Sequence, residues 1–89
     1  MNGLSAQISL YPLGQVDLAP AIGEIWAALE AHGVPYQVGS MSTLAYGEEE
    51  QVFAALKEGW RRAAAHGPAV MVITLSNACP TPFPEAPHG

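Results

Sequence analysis

An α+β fold, in which two helices cover one face of a four-stranded antiparallel sheet, is predicted by three features of the sequence. Residues 5–14, SAQISLYPLG, alternate so that Ala6, Ile8 and Leu10 share one side and Gln7, Ser9 and Tyr11 the other, the period of a strand with one face in a core. Two later segments repeat apolar residues at helical spacing. Each ends in a similar phrase, AHGVPYQV and AHGPAVMV, so helix gives way to strand twice and the chain divides into two β-α-β halves.

The elements follow in order. Pro12 and Gly14 end the first strand, and Asp17 is placed to cap a helix over 18–32 whose apolar positions are Leu18, Ile22, Ile25, Trp26 and Leu29. Pro20 is tolerated in the first turn, and Gly33 stands where a C-terminal cap belongs. PYQVGS (35–40) and STLAYG (42–47) read as two strands joined by a tight antiparallel connection. Glu48 to Glu50 open a second helix and its basic residues come later, an order that suits the helix dipole. Its stripe is Val52, Phe53, Leu56, Trp60 and Ala63, and Gly67-Pro68 stops it. AVMVITLS (69–76) is apolar at nearly every position, the mark of a strand covered on both faces. With right-handed crossovers these elements interleave as a ferredoxin-like βαββαβ sandwich.

Eighty-nine residues suffice for one core. Residues 1–79 are expected to form the domain. Residues 80–89 form a tail, with four prolines among residues 80–87. Charged residues are 12% of the chain against 49% hydrophobic, which points to part of the surface being covered by another copy. Net charge is −5 and the cations Lys57, Arg61 and Arg62 lie close together, so the spread basic face that nucleic acid demands is missing. The single Cys79 excludes an internal disulfide framework and suits a reducing cytoplasm. The longest apolar run, 69–73, is too short to cross a bilayer, so a cytoplasmic protein without membrane insertion is expected.

By alternation, the sheet face left bare by the helices should carry Gln7, Ser9 and Tyr11, then Gln37 and Gly39, Thr43 and Ala45, and Val72, Thr74 and Ser76. A slip of one residue in the middle strands would exchange Thr43 for Ser42. None of these side chains is ionic. Such a face can be buried if its polar groups find partners, either against a second copy or around a small pocket that Ser9, Gly39 and Ala45 leave open.

The stretches SAQISLYPLG, YQVGSMSTLAYGE and LSNACP, spanning about residues 5–80, resemble the YkoF-like thiamine and hydroxymethylpyrimidine-binding proteins. The resemblance implies a ferredoxin-like binder of thiamine or its pyrimidine moiety, acting in vitamin uptake or salvage and not in catalysis. It carries Ser42, Thr43 and Asn77 into the candidate ligand-binding set by motif position, beside Gln7, Ser9 and Tyr11 from the bare face. A stacked aminopyrimidine wants an aromatic ring and a few donors and acceptors at its edge, and a thiazolium cation is attracted to an aromatic face. The better known family member carries two such domains in tandem. This chain has one, so a homodimer or homotetramer formed through the sheet face would supply the second.

Other residues have plainer readings. His32, His66, His88 and Cys79 share no metal-ligand spacing, and two of the histidines precede helix-ending glycines, where an imidazole meets the last carbonyls. No metal and no cofactor is expected. Trp26 and Trp60 read as packing residues, while Tyr46 either packs beneath the second helix or stands at a pocket mouth. No serine has a base predicted beside it, which leaves nucleophilic catalysis without support. An ACT-like regulatory module that binds amino acids, and an assembly protein without a ligand, share the fold and remain alternatives.

Overall fold

A computed structural model of the chain describes residues 3–40 and 42–78. Cys79 and the proline-rich segment expected as a tail lie outside the described residues. The order is β1 (Gly3–Pro12), α1 (Ala19–Ala31), β2 (Tyr36–Val38), β3 (Thr43–Glu48), α2 (Glu49–Ala64) and β4 (Ala69–Ser76). The strands form one antiparallel sheet in the order β2-β3-β1-β4, the βαββαβ topology expected of a ferredoxin-like sandwich.

Helix α1 begins where its sequence allows. The Asp17 carboxylate accepts the Ala19 N–H at 3.1 Å, one residue ahead of the cap position held by Leu18. At the other end Gly33 takes a φ of 69°. Its N–H donates to the Glu30 carbonyl, and the Val34 N–H to that of Leu29, so the last carbonyls are satisfied by a Schellman turn. Helix α2 has Glu49 and Glu50 in its first turn and Arg61 and Arg62 in its last, each sign at the dipole end that favours it.

The core lies between the sheet and the helices: Leu4, Ala6 and Ile8 of β1 and Ala45 of β3 meet Ala21, Ile25 and Leu29 of α1 and Val52, Ala55, Leu56 and Ala63 of α2. Burying a large side chain such as Ile25, Leu29 or Val52 contributes about 1.5–3 kcal/mol. The stripe of α2 differs from the one its large residues suggested. Val52, Ala55, Leu56, Gly59 and Ala63 are buried, whereas Phe53 and Trp60 are exposed. The small positions let α1 come close, and the rings are left outside.

On the outer surface one guanidinium joins the helices: Arg62 donates from Nε to Glu24 at 2.8 Å and from Nη1 to Glu58 at 3.0 Å. The imidazoles complete the pattern, His66 meeting Glu24 at 2.9 Å and His32 meeting Glu58 at 2.8 Å. These rings therefore bridge to carboxylates of the opposite helix instead of meeting the carbonyls at their own helix ends.

Candidate functional site

The register of the sheet decides what its two faces carry. Ile8 pairs with Thr43 and Ala6 with Ala45, and directly opposed residues share a face. Thr43 and Ala45 therefore point with Ile8 and Ala6 toward the helices, not onto the bare face where alternation had placed them. The bare face carries Leu44 and Tyr46 in their stead, beside Ser5, Gln7, Ser9 and Tyr11 of β1, Gln37 of β2, and Val70, Val72, Thr74 and Ser76 of β4. Glu48, at the very end of β3, is the one Asp, Glu, Lys or Arg of that parity among the described strand residues. Tyr46 thus belongs to the bare face and does not pack under α2. Val70 and Val72 are about half exposed, so in the single chain β4 is not covered on both faces.

On the helix side, a cavity of about 280 Å³ opens between α1, β1 and the β2–β3 connection. Ile8, Leu10, Ile22 and Ile25 form its apolar walls; Trp26 closes one side; Ser40, Ser42 and Thr43 bring hydroxyls. Among the described residues, no charged side chain lines it. Such volume lies at the small end of ligand pockets, which are mostly apolar with a few placed polar groups.

Two hydrogen bonds hold this frame. The Trp26 indole N–H of α1 donates to Thr43 Oγ1 at 3.0 Å, and Thr43 is only 6% exposed, so the contact is shielded from competing water. The Tyr36 phenol of β2 donates to the Glu30 carboxylate near the end of α1. That bond to a carboxylate, aided by partial desolvation, pushes the Tyr36 phenol above its usual value of 10.0. At the rim, the Gly39 N–H donates to the Ser42 carbonyl at 2.8 Å and closes the β2–β3 connection. The cavity is therefore bounded by tied elements.

A model of the YkoF-related family matches residues 4–82. The chain belongs to that family. No curated protein matches it. Solved structures share its fold: a Streptococcus pneumoniae protein is 21% identical with a TM-score of 0.75, covering 83% of this chain and 84% of its own. A hypothetical protein from Methanocaldococcus jannaschii is 17% identical with a TM-score of 0.77, covering 85% of this chain and 80% of its own. A Thermotoga maritima protein provisionally assigned to thiamine biosynthesis or salvage is 21% identical with a TM-score of 0.72, covering 82% of this chain and 81% of its own. At these identities the likeness is one of fold.

Within this YkoF-related chain the six expected ligand-binding residues fall in three places. Gln7, Ser9 and Tyr11 share the bare face. Ser42, just before β3, and Thr43 line the cavity on the other side of the sheet. Asn77 borders a shallow groove with Leu4, Glu49, Phe53, Leu75 and Ser76. Leu4 and Leu10, which mark the two ends along β1, are about 20 Å apart at strand rise. One small ligand in one chain cannot reach all three. The cavity residues missed in the sequence are Trp26 and the apolar walls, each of which reads as ordinary core on its own element. Their one signal is the pairing of an indole donor with a hydroxyl residue that must lie under the helix.

No group of three or more His, Cys, Asp or Glu side chains among the described residues is arranged to hold a metal. Among the described residues, no helix is long and apolar enough to cross a membrane.

Proposed function

We propose that this YkoF-related chain is a non-catalytic small-molecule-binding protein of the cytoplasm, holding thiamine or its hydroxymethylpyrimidine moiety for uptake or salvage of the vitamin. The observation that carries this reading is the cavity beside Trp26, whose described lining has apolar walls, an aromatic side and three hydroxyl residues and carries no charge. A flat heterocycle offers two apolar faces and a polar edge, which is the complement of such a lining. The pyrimidine belongs inside. A fixed thiazolium cation would lose hydration there without an anion to compensate, so it belongs at the mouth, where the net charge of −5 favours it.

The bare sheet face serves a different purpose in this reading. Gln7, Ser9 and Tyr11 meet a second copy in a homodimer or homotetramer, and a ligand reached by those side chains lies between copies. The family membership and the salvage assignment of the Thermotoga maritima protein support the choice of ligand class.

Titration calorimetry and thermal melting with thiamine and with 4-amino-5-hydroxymethyl-2-methylpyrimidine test the reading. Binding raises the melting temperature as ligand exceeds its dissociation constant. Neither heat nor a thermal shift with either compound at millimolar concentration rejects it, and a shift with an amino acid instead moves the chain to the regulatory-module class.

A further inference from the structure

The bond between Trp26 and Thr43 has a consequence for what the cavity selects. A hydroxyl has one proton and two lone pairs. The indole N–H can only donate, so the 3.0 Å contact makes Thr43 Oγ1 the acceptor and leaves the hydroxyl proton to be given elsewhere. Thr43 lines the cavity beside Ile8, Leu10 and Ile25, whose side chains carry no acceptor, while Ser40 and Ser42 are the side chains of the described lining that can compete with a ligand for the proton. We propose that Thr43 is the specificity-determining residue of this cavity, donating its hydroxyl proton to an unprotonated ring nitrogen of a planar heteroaromatic ligand, and that Trp26 is a positioning residue that fixes the hydroxyl in its donating state.

The inference rests on the cavity being the binding site and adds what the ligand must present. A carbocyclic ring of the same outline fills the apolar walls equally well but leaves the oriented proton without an acceptor. An unmade hydrogen bond in a desolvated pocket is what lets a site reject an isostere that lacks the matching polar atom. The wall residues alone discriminate weakly between two rings of one shape.

Two probes separate the ideas: 4-amino-5-hydroxymethyl-2-methylpyrimidine, and 2-amino-4-methylbenzyl alcohol, in which both ring nitrogens become C–H. The unmodified chain is expected to bind the pyrimidine roughly tenfold or more tightly than the benzyl alcohol. Thr43→Val should bring that ratio close to one, Thr43→Ser should keep it, and Trp26→Phe, which retains a ring without the donor, should reduce it. The ratio is measured within each variant, so a partly unfolded sample lowers both affinities and leaves the ratio intact. Because the indole proton resonance of Trp26 reports the contact, it should move in Thr43→Val and stay near its place in Thr43→Ser. If the unmodified chain binds both probes equally, or Thr43→Val discriminates as well as it does, the inference is overturned while the cavity stands as a site. Binding of neither probe removes the cavity reading and this inference together.

Discussion

Gly59 of α2 faces Ile25 of α1 so closely that a Cβ built on the glycine would stand 3.2 Å from Ile25 Cδ1 and 3.4 Å from Ala28 Cβ. The helix pair is set by that approach, and the position tolerates one methyl group at most. In Gly59→Ala the tip of Ile25 can rotate aside, and the gain in helix propensity, about 1 kcal/mol, offsets the crowding. The expected change is within about 1 kcal/mol. Gly59→Leu overpacks the contact and should cost about 1–3 kcal/mol. Urea unfolding of the two variants checks this; equal stability for both would mean the helices separate freely.

Gly33 occupies the left-handed region at a φ of 69° and closes the turn that satisfies the last carbonyls of α1. An added Cβ would meet no neighbouring atom there, so any cost of Gly33→Ala comes from backbone conformation alone. That cost is expected to be about 1–2 kcal/mol. Denaturant midpoints compared with Gly33→Asn, which accepts this region more readily, isolate the effect: the asparagine variant should lose less.

The start and stop of α1 were legible because single residues with strong local chemistry mark them, Asp17 at one end and Gly33 at the other. The register of β3 was not. In TLAYG both parities hold an apolar residue, so a period of two cannot say which side faces inward. The decision belongs to packing: Trp26 and the close helix pair leave room beneath them for Thr43 and Ala45, and Leu44 and Tyr46 are turned outward. The same cause misled the stripe of α2, where size suggested Phe53 and Trp60 while the buried surface is made by Ala55, Gly59 and Ala63. The cavity was hidden for a related reason. Its walls come from α1, β1 and the β2–β3 connection, and only the assembled fold brings Ile22, Trp26 and Ser42 together.

Glu24 and Glu58 should shape the acid limb of stability. Hydrogen bonds from His66 first and Arg62 next hold the Glu24 carboxyl below its ordinary value of 4.5. Those from His32 and then Arg62 do the same for Glu58, against the same ordinary value of 4.5. A carboxyl depressed in the folded state binds protons more readily once unfolded. Its contribution is therefore complete above pH 4.5 and disappears as pH falls through the lower folded-state values. Stability should decline over that interval, by a modest amount that salt reduces further because the pairs are solvent-exposed. In the double variant Glu24→Gln, Glu58→Gln the decline should flatten. Denaturant midpoints from pH 6 to pH 3 check this, and an unchanged slope in the double variant would assign the acid sensitivity to other groups.

Val72 tests whether the bare sheet face meets a second copy. The side chain is 52% exposed in the single chain, so replacing it disturbs the fold by about 0.5 kcal/mol or less. On the same face lie Tyr11, Val70 and the neutral side chains of β1, and among the described strand residues of that face only Glu48, at the far end of β3, carries a charge. The strands, of 10, 3, 6 and 8 residues, spaced about 4.8 Å apart at a rise of about 3.3 Å per residue, present a flat area of ~430 Å² per copy. Two such faces together come to about 860 Å² of flat area, and the relief of their side chains brings the surface they can bury toward the ~1,000 Å² total of a specific contact. The unmodified protein should therefore sediment as a dimer or larger assembly. Val72→Glu places a carboxylate inside that contact, where it would lose hydration without a partner, and should shift the population to monomer at micromolar concentration with an unchanged circular dichroism spectrum. If the unmodified chain already sediments at its own 9.3 kDa, the face meets water, and a site for the ligand must be complete within one copy, beside Trp26.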